Sequence, residues 1–513
     1  MPVANEKLAA ALESLNKVQE GGRVAIRSKY LTRLTRELLL KHGFLQPVIK
    51  GWYVPAMPSG GPGETTAWYT AFWQFCRDYL AERFGANWTL TPEQSLILHA
   101  GNFTVPRQLL VRAPAANNQP TQLIHGTSIF ETALALPPPD ERTEASGLRL
   151  YSPEAALVAA TAGFFETHPT EARTVLAIQR DASAVLALLL RGGHSVVAGR
   201  LAGAFRNIGR DREADAILTA MKAADHTVRE TDPFIDGRPR VPYRRDPSPY
   251  VQRLRLLWER MRDDVAGRLP PERVLPNDVD VYLREVDALY VTDAYHSLSI
   301  EGYRVSPELI ERVRSGQWNP QAHVQDRDFE NGLAARGYWL AFQAVRQSLT
   351  DVLAGQSPGD VADRDHPVWY REMFAPKVAA GLLKPENLAG YRNGPVYLRG
   401  SRHVPLNADA VRDAMPAFFD LLRDEPDPAV RVVLGHFIYV FIHPYFDGNG
   451  RTGRFLMNVM TAAAGYPWTV IPVEERERYM AALEAASVDQ DIRPFADFIG
   501  ECIRRAKEIR APA

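Results

Sequence analysis

The chain has 513 residues, 46% hydrophobic and 24% charged, the balance of a globular polypeptide long enough for about three domains. Sixty basic residues against 61 acidic ones leave a net charge of -1, so only local patches can draw it to nucleic acid or a membrane surface. No stretch approaches the roughly 18–20 uninterrupted apolar residues of a membrane span. The N-terminus MPVANEKLAAALESLNK lacks the basic and then apolar segments of a secretory leader. Cys76 and Cys502 fit no CxxC pattern. The expectation is a cytoplasmic protein with no membrane segment and two buried thiols.

Leu8, Leu12 and Leu15 share one helical face at the start. RVAIRSKYLTRLTRELLLKHGFLQPVIKGWYVP follows, with Leu31, Leu34, Leu38 and Leu39 at helical spacing and Gly43 placed to stop the helix. GFLQPVIKGWYVP reads as two short strands around a turn at Lys50–Gly51. Helix, helix and hairpin make the plan of a winged helix. Arg23, Arg27, Lys29, Arg33, Arg36 and Lys41 oppose only Glu37 there, so DNA is a candidate partner through phosphate contacts.

Residues 91–226 mix a short helix, strand-like segments and then helices from SPEAALVAATAGFF to AILTAMKAADH. The N-terminal part resembles the AbiEi-like antitoxin and regulator family. The carrying features are the pattern ending in GWYVP, the LTPEQSLILHAG segment and the helix opening SPEAALVAAT. TVRETDPFIDGRPRVPYRRDPSPYVQ (227–252) is rich in Pro, Arg and Asp without a period, and is expected to be a linker. From 253 helical patterns dominate, and there is no internal repeat.

VRVVLGHFIYVFI is apolar all round, as a buried helix is. HPYFDGNGRTGR (443–454) follows it directly. Pro444 biases His443 out of the helical region and ends the helix. FDGNG is a tight loop, and RTGRFLMNVMTAAAG begins a second helix with Arg451 and Arg454 expected in its first turn. Arginines at a helix N-terminus oppose the macrodipole unless an anion sits there. Exposed N–H groups reinforced by two arginines suit a polyphosphate. Asp447 adds one hard oxygen ligand for Mg2+ shared with phosphates. His443 at the rim is placed to take a proton from a hydroxyl. The residues therefore point to phosphoryl or nucleotidyl transfer, and not to a P-loop, since GxxxxGK[ST] is absent.

The stretch resembles the Fic-domain signature HPFx[D/E]GNGRxxR, with Tyr445 in place of Phe. The resemblance covers about residues 280–505. It implies an all-α core that transfers AMP from ATP to a Ser, Thr or Tyr hydroxyl of a protein, with release of pyrophosphate. It assigns His443 as general base and Asp447 as Mg2+ ligand. It places Gly448, Asn449, Gly450 and Arg451 around the α- and β-phosphates and Arg454 on the γ-phosphate. YRNGPVYLRGSRHVP (391–405) resembles the β-hairpin flap that pins a target segment by strand addition. YMAAL (479–483) resembles a segment whose first residue, here Tyr479, lies against the adenine. SLSIEG (297–302) resembles the inhibitory motif [S/T]xxxE[G/N]. Ser297 and Glu301 share a helix face there, and Gly302 is placed to terminate the helix. A Glu301–Arg454 salt bridge would then compete with the γ-phosphate.

The expectation is a multidomain protein. A winged-helix-like domain spans 1–90 and an AbiEi-like mixed α/β domain spans 91–226. A linker covers 227–252. A mainly α Fic domain with a small β-hairpin flap spans 253–513, its inhibitory helix around 279–302. Activity is expected to be autoinhibited protein adenylyltransfer, onto another protein or the chain itself. AMP removal, transfer of another group, and a DNA-binding regulator with a Fic sensor core stay open, as does a homodimer.

Overall fold

The computed structural model describes residues 4–20, 22–56, 58, 65–239, 248–270, 278–319 and 329–510. Two compact units form, Met1–Arg253 with Tyr397–Val404, and Leu254–Val396 with Pro405–Ala513.

The first unit opens with α1 (Ala4–Gln19) and α2 (Arg33–Lys41). Ala11 and Leu15 pack against Leu31, Leu39 and Leu45. Thr32 caps α2 by accepting from Thr35 N, which satisfies one orphan N–H. Strands β1 (Ile26–Arg27), β2 (Leu45–Ile49) and β3 (Trp52–Pro55) lie in the order β1-β3-β2. Pro47 is tolerated because β2 is an edge strand. The hairpin turns at Lys50–Gly51, as expected, with Gly51 at φ +79°.

The cations of this stretch are less free than their sequence suggests. Arg27 and Lys29 both meet Glu82, at 3.0 and 2.9 Å. Arg33 pairs with Glu37 at 2.8 Å, and Arg36 donates to the Ser28 carbonyl. Glu82 comes from α3 (Thr66–Phe84), whose Trp68, Phe75 and Tyr79 form an aromatic core with Trp52.

Beyond α3 come β4 (Thr89–Leu90), α4 (Pro92–His99), β5 (Gln108–Arg112), β6 (Pro120–Gln122) and β7 (Ser128–Thr132). They make a sheet ordered β4-β5-β7-β6, with β5 and β7 parallel and Gln108 opposite Ser128. β8 (Arg142–Ala145) and β9 (Leu148–Tyr151) form a hairpin. A helical layer follows: α5 (Pro153–Ala159), α6 (Ala162–Thr167), α7 (Pro169–Ile178), α8 (Ser183–Gly192), α9 (Ser195–Asn207) and α10 (Asp211–Ala223). Phe165, Leu176, Leu201 and Phe205 lie at its centre.

Residues 227–239, expected to be linker, lack regular structure but are strapped to this layer. Phe234 is buried in its core, and Arg173 reaches Asp236 and the Gly237 carbonyl. The strap crosses α9 where two glycines leave room. A Cβ on Gly199 would lie 1.9 Å from Arg229 O, and one on Gly203 would lie 2.1 Å from Thr231 O. Residues 240–247 of the expected linker lie outside the described residues. α11 (Pro249–Val265) leads into the second unit.

That unit is helical: α12 (Val279–Ile300), α13 (Pro307–Arg314), α14 (Phe329–Leu353), α15 (Pro358–Ala379), α16 (Ala408–Asp424), α17 (Pro428–Ile442), α18 (Asn449–Ala463), α19 (Arg476–Val488) and α20 (Arg493–Arg510). α17 is buried almost throughout, which explains its unbroken apolar sequence. Among the described residues no helix is long and apolar enough to cross a membrane. Cys76 and Cys502 are buried and unbridged.

The expected β-hairpin at 391–405 does not form. A turn closes from Ser401 N to Leu398 O with Gly400 at φ +74°, but no flanking residues pair as strands. Pro395 and Pro405 have no N–H to give to a ladder. The Arg402 carbonyl instead accepts from Val105 N at 2.9 Å, within the first unit.

Candidate active site

The last turn of α17, the loop 443–448 and the start of α18 carry the core of the site. His443 caps α17 at φ 56°, ψ 63°, a left-handed conformation unusual for a residue with a Cβ. Pro444 keeps it out of the right-handed helix, as its position predicts. A carbonyl only accepts, so the 3.2 Å contact from Nδ1 to Val440 O places the proton on Nδ1 and leaves the lone pair on Nε2. Burial holds the imidazole down at about 4, aided by Arg392 and opposed by Glu301 and Asp447. At neutral pH His443 is therefore an uncharged base.

The loop is closed by Asn449. Its Oδ1 accepts from Tyr445 N at 2.9 Å and its Nδ2 donates to Tyr445 O at 2.8 Å. The Asn449 side chain thus shapes the loop and leaves its backbone N–H for a ligand. Tyr445 is buried and stacks on Tyr370 with centroids 3.7 Å apart. Gly448, the N-cap of α18 at φ 80°, has no side chain to cap the helix. The first N–H groups of α18 therefore lack an intrahelical or side-chain cap partner. A Cβ on Gly448 would also strike Phe374 at 2.8 Å.

Arg451 lies in the first turn of α18, whereas Arg454 falls in the second, because the helix begins at Asn449. Arg451 is buried, donates to Asp447 Oδ1 at 3.1 Å and faces the rings of Tyr303 and Phe374. Burial works against the charge on Asp447, but Arg451, Gly448 N–H and Lys377 hold its carboxyl below the usual range. Lys377, whose Nζ reaches Tyr303 Oη at 3.3 Å, was not singled out by sequence. It sits on α15, far from the motif in the chain, and nothing local marks it.

Ser297, Glu301 and Gly302 arrive from the end of α12. Arg454 donates from Nε to Ser297 Oγ at 2.9 Å, and from Nη2 to Ser297 O at 2.9 Å and Glu301 Oε1 at 2.7 Å. Burial alone would lower the Arg454 pKa, yet the Glu301 carboxylate keeps it raised. Gly302, at φ +92°, lets the chain leave the helix, its N–H bonded to Ser299 O. Glu301 also projects over the helix N-terminus, since a Cβ on Gly450 would lie 2.3 Å from Glu301 Oε1. Arg454 Nη1 and Arg451 Nε are buried without a hydrogen-bond partner among the described residues. Buried guanidinium N–H groups left unpaired are costly, and a bound anion would satisfy them.

Tyr479, expected against an adenine, is buried among His436, Phe495 and Phe498. His436 Nδ1 is 2.8 Å from the Gly453 carbonyl, so its Nε2 accepts from Tyr479 Oη at 2.8 Å. Among the described residues no group of three or more His, Cys, Asp or Glu side chains is placed to hold a metal. Besides Glu301, which is engaged by Arg454, Asp447 presents a carboxylate here, its side chain 55% exposed.

A buried helical hairpin with a basic, glycine-lined turn defines the class. Residues 369–461 match the model of the Fic/DOC family. Over 224 residues, 43% of this chain, the sequence is 30% identical to "Protein adenylyltransferase Fic" of Drosophila willistoni, covering 41% of that protein. It is 28% identical over 224 residues to "Protein adenylyltransferase fic-1" of Caenorhabditis elegans, covering 40% of it. The chain thus spans about two fifths of the length of these curated relatives. Among solved structures, C. elegans Fic-1 (aa134 - 508) aligns with a TM-score of 0.36 at 20% identity, covering 63% of this chain and 92% of that one. The family-model match, residues 369–461, does not reach residues 1–253, and the AbiEi-like resemblance there rests on sequence pattern alone.

Proposed function

We propose that the protein is a protein adenylyltransferase, transferring AMP from ATP to a Ser, Thr or Tyr hydroxyl of a protein and holding itself inhibited through Glu301. The observation that carries this reading is the cradle itself. An uncharged histidine with Nε2 available stands four residues from a carboxylate, beside an uncapped helix N-terminus and two buried arginines with unpaired N–H groups. The relatives named above carry that activity in their names.

In the proposed reaction His443 Nε2 takes the proton of the hydroxyl as its oxygen attacks the α-phosphorus. The bond from that phosphorus to the bridging oxygen breaks, and pyrophosphate leaves. The N–H groups of Asn449, Gly450 and Arg451 stabilise charge on the phosphates, and Arg454 holds the γ-phosphate. Mg2+ fits the donor set only as a shared ion, with Asp447 giving one oxygen and phosphates and water the rest, where it would offset charge on the pyrophosphate. Tyr479, through His436, supports the backbone beside Arg454.

Glu301 occupies the cradle where a phosphate oxygen would sit. Its carboxylate satisfies Arg454 in the absence of ATP and competes with the γ-phosphate in its presence. Engagement of Arg27, Lys29, Arg33 and Arg36 by local acceptors gives the DNA-binding alternative no added support. The test is transfer of label from α-labelled ATP to protein by the Glu301→Gly form, with and without His443→Ala. Label is expected only with His443 present, and equal labelling in both forms would overturn the assignment.

A further inference from the structure

We propose that Arg392 is a positioning residue for the reaction: its buried guanidinium ties Gly394 and Leu406 to the backbone at His443 and so holds the corner that aims the base. The inference rests on the adenylyltransferase reading above and adds a residue that the sequence did not mark.

Arg392 is 1% exposed. Its Nε donates to His443 O at 2.8 Å, and Nη2 reaches Ile442 O at 3.5 Å. Nη1 donates to Gly394 O at 2.9 Å, and Nη2 also donates to Leu406 O. Its own backbone N–H donates to Pro444 O at 3.0 Å. Gly394 and Leu406 bracket the flap, while residues 442–444 form the left-handed corner that aims the imidazole. One planar fork therefore joins segments about fifty residues apart in the chain. Only a guanidinium presents donors in enough directions to do so.

The fork has work to do at that corner. A left-handed non-glycine residue is a strained conformer that persists only when its surroundings hold it. Burial pushes the Arg392 pKa down, to about 10, which still leaves it charged at neutral pH. That charge faces His443 together with the carboxylates of Glu301 and Asp447. Arg392 does not touch substrate in this arrangement. It acts through the His443 carbonyl.

The experiment takes Glu301→Gly as parent and compares Arg392→Lys and Arg392→Gln. It follows self-modification with α-labelled ATP across pH, and the His443 imidazole by NMR, assigned by its loss in His443→Ala. Arg392→Gln is expected to lower kcat at least tenfold with KM for ATP within about twofold, since Arg451 and Arg454 lie outside its contacts. Its His443 midpoint should move up as the neighbouring cation is lost. Arg392→Lys keeps the charge without the fork, so its midpoint should stay near that of the parent while kcat recovers only in part. A parental kcat and an unmoved midpoint in folded Arg392→Gln would overturn the proposal, as would equal loss of ATP binding. If Arg392→Gln does not fold, full recovery of kcat in Arg392→Lys overturns it. A parent that transfers no label refutes the functional reading, and the NMR midpoint then decides the positioning claim alone.

Discussion

Replacing Glu301 by glycine is the sharpest perturbation of this site. It removes the acceptor held by Arg454 at 2.7 Å and leaves both contacts to Ser297 in place. A hydrogen bond to a charged group contributes about 1.5–3 kcal/mol. Arg454 is buried, but the Glu301 side chain is 27% exposed, so about 1.5–2 kcal/mol is the appropriate part of that range. At about 1.4 kcal/mol per factor of ten, release of the pair should raise transfer by about 10- to 30-fold at subsaturating ATP. The assay is initial-rate labelling from α-labelled ATP, with Glu301→Gln as an intermediate case that keeps an acceptor without the charge. Removal of the carboxylate also leaves Arg454 less satisfied, so ATP should raise the Tm of the glycine form more than that of the wild type. An unchanged rate, with ATP bound equally by both forms, would refute the competition argument.

Gly450→Ala places a Cβ 2.3 Å from the Glu301 carboxylate position, where a phosphate oxygen is proposed to sit. Transfer should fall at least tenfold even in the Glu301→Gly background, read by the same labelling assay. Because burial holds His443 near 4, the base stays deprotonated as pH falls past 6.5, and the acid limb of kcat/KM should lie below about pH 5. A limb at 6.5 would mean an imidazole with its ordinary affinity for protons. Gly199→Ala drives a methyl into the Arg229 carbonyl at 1.9 Å, so the strap must lift or α9 must shift. Overpacking of this kind costs about 1–3 kcal/mol, which denaturant unfolding of the full chain should report.

The sequence determined the local pieces of this protein. The apolar run of α17, the proline after His443 and the glycines of 448–450 fix a buried helix, a sharp corner and an open helix start. Each is set by the backbone preferences of adjacent residues. The spacing of Ser297 and Glu301 likewise announces one helix face. What only the tertiary structure decided is which distant group meets which. Lys377 and Tyr303 enter the arginine cluster from α15 and the loop after α12, and no local pattern marks them. Glu82 meets the N-terminal cations from α3, and the segment 227–239 is fastened by Arg173 and the close approach at α9. The flap composition suggests a hairpin, but Pro395 and Pro405 remove ladder donors and the Arg402 carbonyl finds Val105 instead. Arg392 is the clearest case. In sequence it is one of many arginines, and its role depends on four carbonyls that only the fold brings within reach of one buried guanidinium.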